Sequence, residues 1–100
     1  MKAYFLIKDA LPPEKALVAI AHAPLAMYFK FEQHPDVIAW RNGVFKKVIC
    51  KVNEAQFEQA KGFEDYVLLT ESSLGGAEVA LGFRPRAEWP KAFQYYSLYR

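Results

Sequence analysis

One cysteine, Cys50, stands in the whole chain. That excludes an internal disulfide and a cysteine-built zinc site, and it suits a reducing compartment. No P-loop, Rossmann fingerprint or G-x-S-x-G elbow is present, so the common glycine-built phosphate cradles and the serine-hydrolase turn are absent. No apolar stretch reaches the roughly 18–20 residues a membrane span needs. The opening Met-Lys with a short alternating run does not read as a cleavable signal. A cytoplasmic protein without membrane contact is therefore expected, and neither metal nor cofactor is expected. Charge of neither sign dominates: 13 basic and 11 acidic side chains give a net +2. That permits a phosphate-bearing partner without marking a dedicated nucleic-acid binder.

What is there is an ordinary globular composition, 53% hydrophobic and 24% charged over 100 residues. It fits a single domain spanning residues 1–100, with no room for a second core. Ala3 to Ile7 reads as a buried strand. Pro12 and Pro13 set up a helix start, Glu14 complements its dipole, and the helix is expected from Glu14 to Tyr28 with a kink or break at Pro24. His34-Pro35-Asp36 is a turn, with Asp36 placed to cap a short helix through Trp40. After the Asn42-Gly43 turn, Val44 to Val52 reads as a central strand. Its Val48, Cys50 and Val52 lie on one face, and Lys47, Ile49 and Lys51 on the other. Asn53 and Gln56 have capping-box spacing, and Gly62 ends that helix. Tyr66 to Leu69, Ala77 to Phe83 and Tyr95 to Tyr99 are further strands, around a polar loop from Thr70 to Gly76 and a helical turn within Pro85 to Phe93. The order β-α-β-α-β-β-α-β predicts an α/β domain with a mixed four- to five-stranded sheet and helices packed on it.

Three constellations bear chemistry. Lys8 ends the first strand, Lys15 sits in the first helical turn, and His22, seven residues on, shares its helical face. Lysines there bind phosphate or polarise a carbonyl oxygen, and the structural alternative is a solvated strand end beside a core histidine. The loop Thr70-Glu71-Ser72-Ser73-Leu74-Gly75-Gly76 offers a carboxylate and hydroxyls. If its strand runs parallel to the first, Glu71 and Ser72 emerge at the sheet edge that holds Lys8, an acid/base set suited to ester cleavage. The alternative is a polar turn whose glycines supply positive φ. Lys46, Lys47, Lys51 and Arg41 interleave with Trp40 and Phe45, a pattern that faces nucleic acid or the solvated side of a half-covered sheet. The aromatics Phe93, Tyr95, Tyr96 and Tyr99 read as core or as a homodimer contact.

The collinear order of these segments resembles the type 2 peptidyl-tRNA hydrolases over nearly the whole chain. The resemblance is carried by the strand closing on Lys8-Asp9, by Ala21-His22-Ala23 with Lys15 near the helix start, and by Trp40, Gly43 and Lys47-Val48-Ile49-Cys50-Lys51-Val52. Gly76, the strand Val79 to Phe83, Pro85 and the ending Phe93 to Tyr99 complete it. The family's Asp-Ala-Gly-x-Thr loop is replaced here by Glu71-Ser72-Ser73-Leu74-Gly75. Its glutamine before the histidine is replaced by apolar residues such as Ala19 or Ile20, and its glycine-rich helix approach by Pro12-Pro13. The resemblance implies cleavage of the ester between peptide and tRNA, with tRNA or another phosphate-bearing ligand as partner. Lys8, Lys15, His22, Glu71 and Ser72 would be the catalytic set: the lysines on phosphate or the developing oxyanion, Glu71 on water, Ser72 or Ser73 donating a hydrogen bond, His22 positioning its neighbours. Asp9, Lys47, Ser73 and Gly76 would bind substrate. The alternative is a relative that kept the scaffold and lost the chemistry, acting as a small binding or regulatory domain.

Overall fold

A computed structural model describes all 100 residues. The chain runs β1 (Lys2–Lys8), α1 (Pro13–Phe31), α2 (Pro35–Arg41), β2 (Lys46–Val52), α3 (Glu54–Ala60), β3 (Tyr66–Glu71), β4 (Ala77–Arg86) and β5 (Ser97–Leu98), with short 3-10 turns at Ser72–Leu74 and Lys91–Gln94. The five strands form one mixed sheet in the order β3-β4-β1-β2-β5. β1 and β2 pair in parallel, whereas β4 runs antiparallel to both β1 and β3, and β5 antiparallel to β2. β3 therefore runs in the direction of β1, and the two strands finish at the same end of the sheet.

β1 is the middle strand, and five of its seven residues, Ala3–Ile7, are buried because helices cover both faces. Ala3 and Phe5 pack with Ala23, Met27, Val37 and Trp40, under α1 and α2. Ile7 continues that layer against Ala16 and Ala19. On the opposite face Tyr4 and Leu6 pack with Phe57 and Ala60 of α3, with Leu81, Phe83 and with Phe93 from the C-terminal segment. The result is a three-layer α/β domain. α3 starts with a complete capping box: the Asn53 side chain accepts from the Gln56 N–H at 2.8 Å and the Gln56 side chain accepts from the Asn53 N–H at 2.9 Å.

Several expected boundaries move, each for a physical reason. α1 continues through Pro24 to Phe31 as one helix. The N–H that Pro24 lacks would have bonded the carbonyl of Ile20, and both residues border an open groove where that carbonyl can be solvated. The cap of α2 is His34, whose Nδ1 accepts from the Asp36 N–H at 3.0 Å. Asp36 itself turns to Arg84. β2 begins at Lys46 because Phe45 has φ of 61°, which interrupts extended backbone. β3 runs two residues beyond Leu69, and β4 extends to Arg86. The last strand shrinks to Ser97–Leu98, and Phe93 lies in the core.

α1 lies close to the sheet because its inward stripe is small: Ala16, Ala19 and Ala23, with Met27 at the far end. The tightest point is Gly82 on β4, where an added Cβ would stand 3.2 Å from the Ala23 carbonyl oxygen and 3.2 Å from Val67 Cγ1. Gly82→Val is expected to lower stability by about 2 kcal/mol through overpacking, read as a fall in Tm of about 10 °C in thermal unfolding. A Tm within about 2 °C of the wild type would show that α1 can move outward freely.

Candidate functional site

The parallel direction of β1 and β3 brings Lys8 and Glu71 to one end of the sheet, but β4 lies between them, so they are about 10 Å apart across two strand spacings. They also face opposite ways. Lys8 shares the parity of Tyr4 and Leu6 and points to the α3 side, where its ammonium stands 3.1 Å from Glu54 and 4.6 Å from the centroid of the Phe57 ring. Glu71 belongs to the other face. Lys15 and His22 of α1 both act on its charge, so these three residues share one region from which Lys8 is turned away. Asp9 is exposed in the turn after β1, where its N–H donates to the Val52 carbonyl at 2.8 Å.

The loop after β3 is built around the Glu71 carboxylate. The N–H and the hydroxyl of Ser73 both donate to it, at 3.0 and 2.8 Å. Those two hydrogen bonds, with smaller help from Lys15 and His22, hold its pKa below the ordinary glutamate value. The chain then reverses through Gly75 and Gly76 at φ of 67° and 81°, and the Gly76 N–H donates to the Glu71 carbonyl. Ser72 is exposed on the short 3-10 turn. His22 is exposed too, beside a shallow depression of about 350 Å³ shared with Phe29, Leu69 and Thr70. Chemically the set offers a free lysine, an imidazole and a carboxylate kept ionised. It can hold a phosphate and accept from a ligand hydroxyl, but a carboxylate with a lowered pKa is a poor proton acceptor at neutral pH.

Lys47 stands elsewhere. Its register partner on β1 is Ala3, five residues from the pair Lys8 and Val52, about 17 Å along the strands. It borders a groove of about 850 Å³ between α1, the end of α2 and β2, together with Pro24, Leu25, Tyr28, Trp40 and Arg41. The basic and aromatic pattern of the sequence marks Arg41, Trp40 and Phe45, and the α1 wall lies outside that pattern. The available signal was the absence of any Asp, Glu, Lys or Arg between Lys15 and Lys30, more than one buried face requires. Cys50 is buried, and burial, partly opposed by Lys2, pushes its thiol up to about 11, which removes it as a nucleophile at neutral pH. No three His, Cys, Asp or Glu side chains converge as a metal ion would require. No helix is long and apolar enough to cross a membrane. No family model matches the chain, and no curated protein matches it.

Because the folded pKa of Glu71 lies below its unfolded value, its ionised form favours folding above the unfolded pKa, and that contribution is lost as pH falls through the folded one. A carbon-detected NMR titration is expected to place the Glu71 carboxyl midpoint below the ordinary glutamate value. Ser73→Ala should move it upward by removing the hydroxyl bond. A midpoint unchanged by Ser73→Ala would refute the proposed cause.

Proposed function

We propose that this chain is a peptidyl-tRNA hydrolase-like domain that keeps a site for a phosphate-bearing ligand, tRNA first among them, while its ester-cleaving chemistry is reduced or lost. The observation that carries this reading is the separation of Lys8 from Lys15 and Glu71. The site that the family resemblance implies needs those groups on one cleft, and displacements of about 1 Å already cost such sites heavily. Here Lys8 is held on the opposite face by Glu54 and the Phe57 ring. The lowered pKa of Glu71 supports the same reading, since a general base works best with a pKa near the operating pH. Lys15 makes no ion pair and is free to meet a phosphate.

An active hydrolase is the second reading, favoured by the shared face of Lys15, His22 and Glu71. In it Lys15 stabilises the oxyanion, Glu71 orients water and Ser72 or Ser73 donates to the ligand. Either version acts in the cytoplasm, where peptidyl-tRNA is made. A homodimer fits both, with support from the exposed Leu98 on the edge strand β5 and the exposed Tyr95 just before it.

Incubation with peptidyl-tRNA separates the readings. Expected are salt-sensitive retention of the RNA, weakened by Lys15→Ala, and ester release no faster than in buffer. Rapid release that disappears with Lys15→Ala or Glu71→Gln would establish the hydrolase instead. Neither retention nor release would overturn both. Light scattering on the same sample reports whether the protein is dimeric.

A further inference from the structure

The groove beside Lys47 is unused by either reading. It lies toward the opposite end of the sheet from Glu71, and its apolar surface is not consumed by the fold. Leu25 on its α1 wall is 53% exposed and Phe45 at its lip 47% exposed. The volume, about 850 Å³, falls in the range of roughly 300–1,000 Å³ typical of small-molecule sites. Three features say what would fill it.

The first is charge. Arg41 and Lys47 are its only charged lining groups, and no carboxylate is among the residues that line it. Neither makes an ion pair, and the nearby Asp36 is committed to Arg84. Arg41 spends one of its donors on the Tyr28 hydroxyl, and Lys47 spends one on the Phe45 carbonyl at 2.7 Å, which leaves several N–H groups unassigned. The second is environment. The Lys47 ammonium stands 3.3 Å from the Phe45 ring centroid and is partly desolvated, which lowers its pKa. A charge held against an apolar wall gains more from an incoming anion than one in open water.

The third is the strained lip. Phe45 keeps φ of 61°, costly for a non-glycine residue. That conformation holds its ring 4.4 Å from the Trp40 ring and against Lys47. Two cations, with no further basic residue lining the groove, give a polyanion's backbone little to follow, which argues against RNA here. A second copy docking groove to groove would bring four cations together, which argues against self-association. The apolar walls and the paired cations fit a small molecule with an apolar body and one negative end.

We infer that the groove binds an amphiphilic carboxylate, its apolar tail on Pro24, Leu25 and Ile49 and its carboxylate taken by Arg41 and Lys47. Arginine suits the role, because its planar fork matches the two oxygens of a carboxylate. This inference stands apart from the peptidyl-tRNA reading and survives its failure.

The test is an NMR titration of the intact protein with octanoate, octanol and octylammonium as probes. Octanoate is expected to shift amides of Ile20–Tyr28 and Arg41–Ile49, and to bind about tenfold tighter than octanol, as charge-assisted hydrogen bonds worth about 1.4 kcal/mol would give. The double substitution Arg41→Gln with Lys47→Gln alters exposed side chains only and should leave the dispersed spectrum intact while abolishing the preference for octanoate. Octanol or octylammonium binding as tightly as octanoate to the wild type would overturn the inference. So would shifts centred away from the groove, or groove amides that move with protein concentration alone, the signature of self-association.

Discussion

The closeness of α1 to the sheet governs the rest of the molecule. A helix normally stands off a sheet by the length of its side chains, yet here the inward stripe is alanine and Ala23 meets a glycine, so backbone approaches backbone at Gly82. Phe5, Gly82 and Val67 lie in register across β1, β4 and β3, so the helix drops into a gap between larger neighbours on either side. Dispersion contacts weaken steeply with gaps of only 0.5–1 Å, so this seating is specific rather than approximate. Two consequences follow for function. The flank facing β3 carries Lys15 and His22 toward the Glu71 loop, and the flank facing β2 leaves that strand uncovered, with Ile49 half-buried at the groove floor.

β1 imposes the second constraint through parity. Strand side chains alternate between faces, and burial of Ala3, Phe5 and Ile7 under α1 forces Tyr4, Leu6 and Lys8 to the α3 side. Lys8 thus ends at the correct end of the sheet on the face away from Glu71. The capping turn of α3 then supplies Glu54 as its partner. An exposed pair of this kind adds little to stability, but it decides where the lysine points. Glu71 obeys the same rule: it shares the parity of Val67 and Leu69, which pack under α1.

Much of the architecture was legible because local signals and tertiary packing agree. The apolar run Ala3–Ile7, the Asn53–Gln56 box and the glycines after Glu71 each specify their structure within a few residues, and each is found where its chemistry places it. The misses share one cause, namely decisions taken by distant groups. Pro24 would break an isolated helix, yet here tertiary contacts hold the helix on both sides of it. Asp36 has the credentials of a cap, but buried Arg84 claims it, and His34 takes over. Phe45 reads as strand, but it takes a positive φ with its ring packed against Trp40 and Lys47. The face of Lys8 was implicit in the strand alternation, but only once it is known which face α1 covers.

Arg84 links these decisions. It is 9% exposed, and its guanidinium reaches Asp36 at the start of α2 at 3.1 Å and Asp65 before β3 at 2.8 Å. A third contact goes to the Pro85 carbonyl at 2.9 Å. A helix of seven residues has no stability of its own, since nucleation costs more than two turns return. α2 therefore depends on its attachments: Val37 and Trp40 in the core, the Trp40 indole N–H donating to the Lys46 carbonyl at 2.7 Å, and Arg84 at its N-terminus. The Arg84–Asp36 contact sits at one end of α2, and Arg41, one of the two cations of the groove, at the other. The position of Arg41 over the apolar wall is thus set by a buried guanidinium on β4, a residue that touches no part of the groove itself.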